Sequence, residues 1–487
     1  MLTTPKASPS YPIFLWHDLQ SAHFNFNTPF MLHLADKQVF FVEQVLRIIP
    51  KKRMVVLGVW QDKPVVAKLF FNLERAKQHI EKDVAGINIL QTNHIPTPTI
   101  LHQSISEDRR IYILILERIF EAENLATIWE AKKHHVPEIL SILKSVVTEI
   151  ATQHVLGVLQ QDIHFKNFLL TTNRIYTLDG AQIEIFKPLL PKQVSIKNLA
   201  LFLAQLGVGA ETLQKQLFQY YATLRGWRLK KEDDDELFYQ INKRNNKRWQ
   251  QFEKKIFRDC SDFSRFHDLH IHGMYNRVYQ SAALLQFLKN PDAIFHHPTT
   301  QIIKMGRSAT VAKIAIDHHT FIIKRYNIKS IWHQLRRSMR LTRAYVSWRL
   351  AQKCMLLGVS TAKPVAFIEK KYFGLRNKSY FISEFVSGEH VGDFFKKNHI
   401  EDEVSKMAVR IMALLKNITK IELTHGDLKT TNILIDQYKQ PVLIDLDGAT
   451  EHTSLSGLYR AFRKDMKRFF KNFDGQLLLK KKFQEIL

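Results

Sequence analysis

The chain has 487 residues, 45% of them hydrophobic, two cysteines and a formal net charge of +25. That hydrophobic content excludes a disordered chain, and the length suffices for two or three domains with their own cores. Two widely separated cysteines exclude a disulfide framework, and apolar runs as short as Ile111–Leu116 and Leu199–Ala210 exclude a membrane span.

Residues 1–35 read as an irregular N-terminal extension, and Met1 to Pro12 lacks a basic-then-apolar leader pattern. Residues 36–118 are rich in strand signals. Pro64-Val-Val-Ala-Lys68-Leu-Phe is a β-branched run, a helix follows at roughly 74–91, and the apolar strand Ile111–Leu116 ends at Glu117. A helix over Glu138–His154 leads into Asp162-Ile-His-Phe-Lys-Asn167, and the strand Ile175-Tyr-Thr-Leu runs into Asp179-Gly180. Ser195–Gly207 reads as a buried helix. Residues 226–295 are charged helical sequence, with helices at Lys230–Glu236 and Asn242–Arg258. The polar stretch His296-His-Pro-Thr-Thr300 marks a boundary, which sets a first domain at 36–295 and a second at 296–487.

The second domain repeats these landmarks. Ile303-Lys-Met-Gly306-Arg-Ser-Ala-Thr precedes the strand Thr320-Phe-Ile-Ile-Lys324-Arg-Tyr, and Glu384-Phe385-Val386 stands where Glu117 stands in the first. Asp427-Leu-Lys-Thr-Thr-Asn432 is followed by Val442-Leu-Ile, then Asp445-Leu-Asp447-Gly448, and a basic helix from Leu458 to Asn472 closes the chain. Subtracting equivalent positions gives 427−162 = 265, 432−167 = 265, 445−179 = 266 and 324−68 = 256. Four landmarks in one order at nearly constant offset are an internal repeat of domain size, with Cys260 in the first copy and Cys354 in the second.

The chemistry of the repeated residues points to phosphoryl transfer. An Asp followed five positions later by an Asn is the core of a kinase catalytic loop. There the Asp takes the proton of the attacking hydroxyl and the Asn oxygen holds a magnesium ion on the ATP phosphates. A strand lysine holds the α- and β-phosphates and a second Asp binds metal. The catalytic candidates are therefore Asp427 and Asp162, with metal ligands Asn432, Asp445, Asn167 and Asp179. The nucleotide-binding candidates are Lys324 and Lys68, Gly306 in the phosphate-covering loop, and Glu384 and Glu117 at the adenine hinge. The implied fold is α+β: two tandem protein-kinase-like domains, each with a small β-rich N-lobe and a helical C-lobe, using ATP and Mg2+.

These residues resemble the Kdo/WaaP-type lipopolysaccharide kinases, also called the InaA family. The likeness is carried by His425-Gly-Asp-Leu-Lys-Thr-Thr-Asn-Ile-Leu-Ile with Val-Leu-Ile-Asp-Leu-Asp-Gly, by Gly358-Val-Ser-Thr-Ala-Lys-Pro364, and by Arg463-Lys-Asp465-Met-Lys-Arg-Phe469. Ile95-Pro-Thr-Pro98 and the Asp162 and Asp179 segments extend it to the first half, so that it covers most of 50–200 and 300–470. The resemblance implies transfer of the ATP γ-phosphate to a sugar hydroxyl of the lipopolysaccharide inner core. It also implies a peripheral, cytoplasmic enzyme on the inner face of the inner membrane. One active domain beside a pseudokinase partner, and a protein or small-molecule alcohol as acceptor, are the alternatives.

Each copy departs from the kinase pattern somewhere. Gln160 stands where His425 precedes the catalytic loop. The stretch 18 residues before Lys68, Ile49-Pro50-Lys-Lys-Arg53, has no glycine but three cations. Glu81 and Asp83 are both candidates to orient Lys68, whereas no acid lies between Lys324 and Glu369, which leaves Lys324 to Asp445 or to ATP itself. Spacing favours Asp445 as the second metal aspartate, the Leu-Asp-Gly-Ala match favours Asp447, and the strand end selects Asp445.

The positive charge favours an anionic partner: lipopolysaccharide core or another anionic glycolipid, and an anionic membrane surface. Ten Lys or Arg and no acid lie between Lys324 and Lys363, with Arg336, Arg340 and Arg343 at helical spacing. Nucleic acid is disfavoured, because no zinc spacing or RNA-binding aromatic motif is present. His267, His270 and His272 have ligand-like spacing without the partner a zinc site needs.

Overall fold

The computed structural model describes residues 11–21, 28–50, 52–71, 75–327, 341–372, 375–398 and 400–486. The chain divides into two compact units, Met1–Gln205 with Leu213–Asn242, and Leu206–Thr212 with Lys243–Leu487.

In the first unit β1 (Phe30–His33), β2 (Val39–Ile49), β3 (Arg53–Trp60), β4 (Lys63–Phe70), β5 (Ile100–Ile105) and β6 (Tyr112–Glu117) form a sheet in the order β1-β2-β3-β4-β6-β5. Burial alternates residue by residue along β3, which sends Met54, Val56 and Trp60 into a core with Phe30, Phe40, Val65, Ala67 and Ile113. The helix Ala76–Thr92 crosses from β4 to β5 and packs Ala76, Ile80 and Ile87 on Phe70, Leu114 and Leu116. Next come β7 (Glu123–Asn124), the helices Leu125–Lys132 and Val136–Val155, β8 (Val158–Gln160), β9 (Phe168–Leu170), β10 (Ile175–Thr177), β11 (Ile183–Ile185) and the helix Lys192–Leu203. The helix Val136–Val155 buries Ile139, Leu143, Val146, Val147 and Ile150, the i, i+4, i+7, i+8, i+11 stripe of an amphipathic helix.

The second unit is built on β12 (Phe263–His267), β13 (Ile271–Asn276), β14 (Gln301–Met305), β15 (Ala309–Ile316), β16 (His319–Tyr326), β17 (Pro364–Tyr372) and β18 (Leu375–Glu384). Their order is β12-β13-β17-β18-β16-β15-β14. After the sheet in the chain come β19 (Gly388–His390), β20 (Leu423–Thr424), the hairpin of β21 (Ile433–Asp436) and β22 (Pro441–Leu443), and β23 (Thr450–Glu451). Helices Val391–Lys397, Glu401–Lys420, Leu455–Lys471 and Leu477–Ile486 enclose Phe394, Ile411, Leu415, Phe469 and Phe483. The strands β2 to β6 and β14 to β18 follow one plan. Three run in meander, the chain crosses over by a helix (Ala76–Thr92 or Arg343–Leu357), and the fifth strand inserts between the third and fourth.

Several sequence expectations are revised. Part of the N-terminal extension is regular: the helix Trp16–Ser21 forms, and β1 pairs with β2 from Phe30↔Val42 to His33↔Val39. The two charged helices expected in 230–258 are one, Lys231–Lys255. Residues 243–295, ahead of the expected boundary at 296, pack in the second compact unit, where β13 pairs with β17 and the Trp348 indole donates to Ile256 O at 3.1 Å. Cys260 and Cys354 therefore share the second unit, both as free thiols. Among the described residues no helix is long and apolar enough to cross a membrane.

Candidate active sites

Lys68 sits mid-way along β4, and its ammonium is held by two carboxylates, Asp83 Oδ1 at 2.8 Å and Asp179 Oδ1 at 3.4 Å. Asp83, and not Glu81, is the helix acid that reaches it. The approach depends on two glycines. A Cβ on Gly86 would stand 1.8 Å from Gly180 O, and a Cβ on Gly180 2.2 Å from Asp83 O, so the helix and the Asp179-Gly180 turn touch backbone to backbone. Burial pushes the Asp83 carboxyl above the usual carboxylate range, with the Lys68 charge offsetting only part of it. Burial acts on Asp179 too, but Lys68 and Arg53 outweigh it and hold that carboxyl low. Arg53, one of the three cations at the glycine-free turn, thus acts on the site electrostatically.

The β9–β10 hairpin sets the metal candidates of the first unit. Phe168 pairs with Thr177, Leu178 N donates to Asn167 O at 2.8 Å, and Asp179 follows at φ 67°. Asn167 Nδ2 donates to Asp162 O at 2.7 Å, which ties the two ends of the Asp-x4-Asn loop. The Asp162 carboxylate itself meets His164 Nε2 at 2.8 Å. Gln160 is no simple loss: its Nε2 donates to Leu178 O at 3.1 Å. In the second unit His425 Nε2 makes the same bond to Ile444 O at 3.0 Å, so an amide and an imidazole brace the equivalent carbonyl just before Asp179 and Asp445.

The second unit reproduces this geometry with one exchange. Ile433 pairs with Leu443, Ile444 N donates to Asn432 O at 3.0 Å, and Asp445 follows at φ 64°. Asp445 and Asp179 thus share the left-handed turn that begins a short 3-10 segment, a conformation that Asp tolerates better than most side chains. Asn432 Nδ2 donates to Asp427 O at 2.8 Å. Lys324 is bound by Asp445 and, at 2.5 Å, by Asp447 Oδ2, while Arg343 from the start of the crossover helix meets the same Asp447 oxygen at 2.6 Å. The acid missing from the helix is supplied by the Asp-Leu-Asp turn. Burial tends to raise the Asp447 carboxyl, but Lys324 and Arg343 outweigh it and hold it below the usual range.

Asp427 carries two cations that sequence reasoning passed over. Lys429 Nζ lies 3.0 Å from Asp427 Oδ1, and Arg468 donates to the same oxygen at 2.9 Å and to Gly426 O at 2.6 Å. Lys429 stands two residues after the aspartate, as His164 does after Asp162, so the repeat itself was the signal. Asp465, on the same helix as Arg468, is buried and accepts from His425 N at 2.8 Å and Gly426 N at 3.0 Å. Gly426 has φ +77° and no room for a Cβ, which would lie 2.1 Å from Gly448 O. The loop and the Asp-Leu-Asp-Gly turn are thereby locked together.

Gly306 closes the β14–β15 turn, with its N–H donating to Ala309 O at 3.0 Å and its carbonyl accepting from Asn327 Nδ2 at 3.1 Å. Glu117 ends β6 opposite Val65 and its carboxylate accepts from Thr99 N at 3.3 Å. Glu384 ends β18 opposite Phe321, with Lys363 3.6 Å from its carboxylate. Arg336 and Arg340 lie outside the described residues. Arg343 is not part of a solvated basic face, since Asp447 and the Tyr326 ring, 4.7 Å away, engage it. His272 pairs with buried Glu369 at 2.9 Å, and among the described residues no three His, Cys, Asp or Glu side chains gather as a metal site.

The family model described as "Lipopolysaccharide kinase (Kdo/WaaP) family" matches residues 301–486. No curated protein matches the chain. The matched segment spans β14 to the final helix and includes Lys324, Asp427, Asn432, Asp445 and Asp447. Residues 301–486 are a domain of the lipopolysaccharide kinase (Kdo/WaaP) family, whose chemistry is that of a kinase, a phosphotransferase.

Proposed function

We propose that the protein is an ATP- and Mg2+-dependent kinase that phosphorylates a sugar hydroxyl of the lipopolysaccharide inner core, working at the inner face of the inner membrane. The observation that carries this reading is the joint placement, inside the family-matched segment, of Lys324 on Asp445 and Asp447 and of Asn432 on the Asp427 loop. Asp427 takes the proton of the acceptor hydroxyl as its oxygen attacks the γ-phosphorus. The bond from that phosphorus to the β-phosphate oxygen breaks, and ADP leaves. Lys324 steadies the α- and β-phosphates, and Lys429 and Arg468 hold the Asp427 carboxylate in place. The donor chemistry fits a hard cation. Asn432 spends its amide N–H on Asp427 O, which leaves its oxygen, with that of Asp445, as the ligands such an ion takes alongside phosphate and water. Bound there, magnesium would neutralise charge on the phosphates.

The first unit repeats the design: Asp162 as base, Asn167 and Asp179 toward metal, and Lys68 toward phosphate. The shared strand order and the Lys68–Asp83 pair support a second kinase-like domain. A division of labour, with the second unit catalytic and the first a pseudokinase partner, is favoured by one contrast. Asp427 is set by Lys429 and Arg468, whereas Asp162 has His164.

The deciding experiment is core-lipopolysaccharide phosphate content by mass spectrometry in cells with wild-type protein, Asp162→Ala, Asp427→Ala or no protein. Loss of one phosphate mass in the Asp427→Ala strain alone supports the division of labour, and loss in both single mutants supports two working sites. Unchanged core phosphate in every strain removes the sugar acceptor and leaves a protein or small alcohol in its place.

A further inference from the structure

The helix Leu455–Lys471 has two chemically different faces. Its inner face is committed: Leu458, Met466 and Phe469 are buried, Asp465 holds the backbone of His425 and Gly426, and Arg468 binds Gly426 O and Asp427. Its outer face carries Arg460, Arg463, Lys464, Lys467 and Lys471, all exposed. Their spacing of i, i+3, i+4, i+7 and i+11 places them on one side of the helix. Asp465 is the helix's one acid and faces inward, and among the described residues none of the five cations forms an ion pair. A helix C-terminus rewards cations in its last turn, which accounts for Lys471 but not for Arg460, Arg463 or Lys464.

Exposed apolar side chains flank this charge along the chain. Leu455 and Tyr459 open the same helix at 68% and 57% exposure, and Leu477 and Leu478 open the next at 74% and 87%. Cations alone suit any polyanion. Exposed leucines before and after them in the chain gain nothing from a nucleic acid or a free phosphosaccharide, but they gain from the boundary between headgroups and acyl chains.

We propose that this outer face docks the second unit on an anionic lipid bilayer, with the five cations against headgroup phosphates and Leu455, Tyr459, Leu477 and Leu478 at the acyl boundary. Only its consequence rests on the kinase reading. Because Arg468 on the inner face touches Asp427, docking holds the catalytic loop about one helix diameter, roughly 10 Å, from the surface that would carry a glycolipid acceptor.

Flotation of the full chain with phosphatidylcholine vesicles, with and without phosphatidylglycerol, tests this. Binding is expected only to the anionic vesicles and is lost at high salt. Arg463→Gln/Lys464→Gln/Lys467→Gln should lower the partition coefficient roughly a hundredfold, at about fivefold per cation removed. Lys187→Glu/Lys197→Glu, reversing two exposed cations of the first unit, should leave it unchanged. Leu477→Ser/Leu478→Ser should weaken binding without altering its salt dependence, and unaltered thermal melting of each variant excludes misfolding. Failure to bind anionic vesicles, or equal binding by the triple variant, overturns the proposal. So does oligonucleotide binding that the triple variant loses while vesicles are ignored. Neither ATP nor acceptor is present, so these outcomes are independent of whether the kinase reading stands.

Discussion

Asp447 accepts the Lys324 ammonium at 2.5 Å and so does in the second unit what Asp83 does for Lys68 in the first. The acid has moved from the crossover helix to the turn after β22, and a cation of that helix, Arg343, follows it. Asp447→Asn removes one charge from both partners. A charged hydrogen bond is worth about 1.5–3 kcal/mol, so kcat/KM for ATP should fall roughly ten- to a hundredfold. Unchanged ATP kinetics in this variant would show that Asp445 alone positions Lys324.

Arg468 bonds both Gly426 O and the carboxylate of Asp427, the proposed base. Arg468→Ala should lower kcat about tenfold while leaving KM for ATP near its wild-type value, since nothing that holds the nucleotide is touched. Arg468→Lys keeps the charge but not both bonds, and partial recovery is expected. A rise in KM for ATP with kcat intact would place Arg468 on the nucleotide instead.

Gly86 has no space for a methyl group, because Gly180 O would lie 1.8 Å from it. Gly86→Ala therefore forces the helix Ala76–Thr92 away from the Asp179 turn and draws Asp83 off Lys68. A loss of about 1–3 kcal/mol in the stability of the first unit is expected from such overpacking, readable in a denaturant melt. An unshifted midpoint would contradict the close packing described.

His154 is buried with Nδ1 2.7 Å from Tyr221 Oη and Nε2 3.0 Å from Asn198 Oδ1, and burial lowers its pKa from 6.5 to about 4. The native state favours neutral imidazole, so the unfolded state binds the extra proton first. The stability is complete above pH 6.5, declines as pH falls from 6.5 towards 4, and is lost below that. The full span corresponds to about 3 kcal/mol. Melts of His154→Gln should lack that part of the slope; identical slopes in mutant and wild type would assign the acid sensitivity elsewhere.

Much of this molecule is legible in its sequence. Two Asp-x4-Asn loops at constant offset, each before an apolar strand ending in Asp, are local patterns, and hairpin register alone then brings Asn432 near Asp445 and Asn167 near Asp179. Strand lysines and amphipathic helices follow from periods of two and 3.6 in the same way. What depended on residues far apart in the chain was decided only in three dimensions. Asp83 was separated from Glu81 by backbone contact between Gly86 and Gly180, 94 residues apart. Arg343 left the expected basic face for Asp447, 104 residues on, because a half-buried carboxylate attracts a guanidinium more strongly than solvent does. Gln160 and His425 look unlike as letters, yet each donates to the carbonyl just before Asp179 or Asp445. The sequence by itself determined which chemical groups recur and in what order, since those are properties of local pattern. The tertiary structure alone decided which charges pair, because pairing depends on distances that only packing sets.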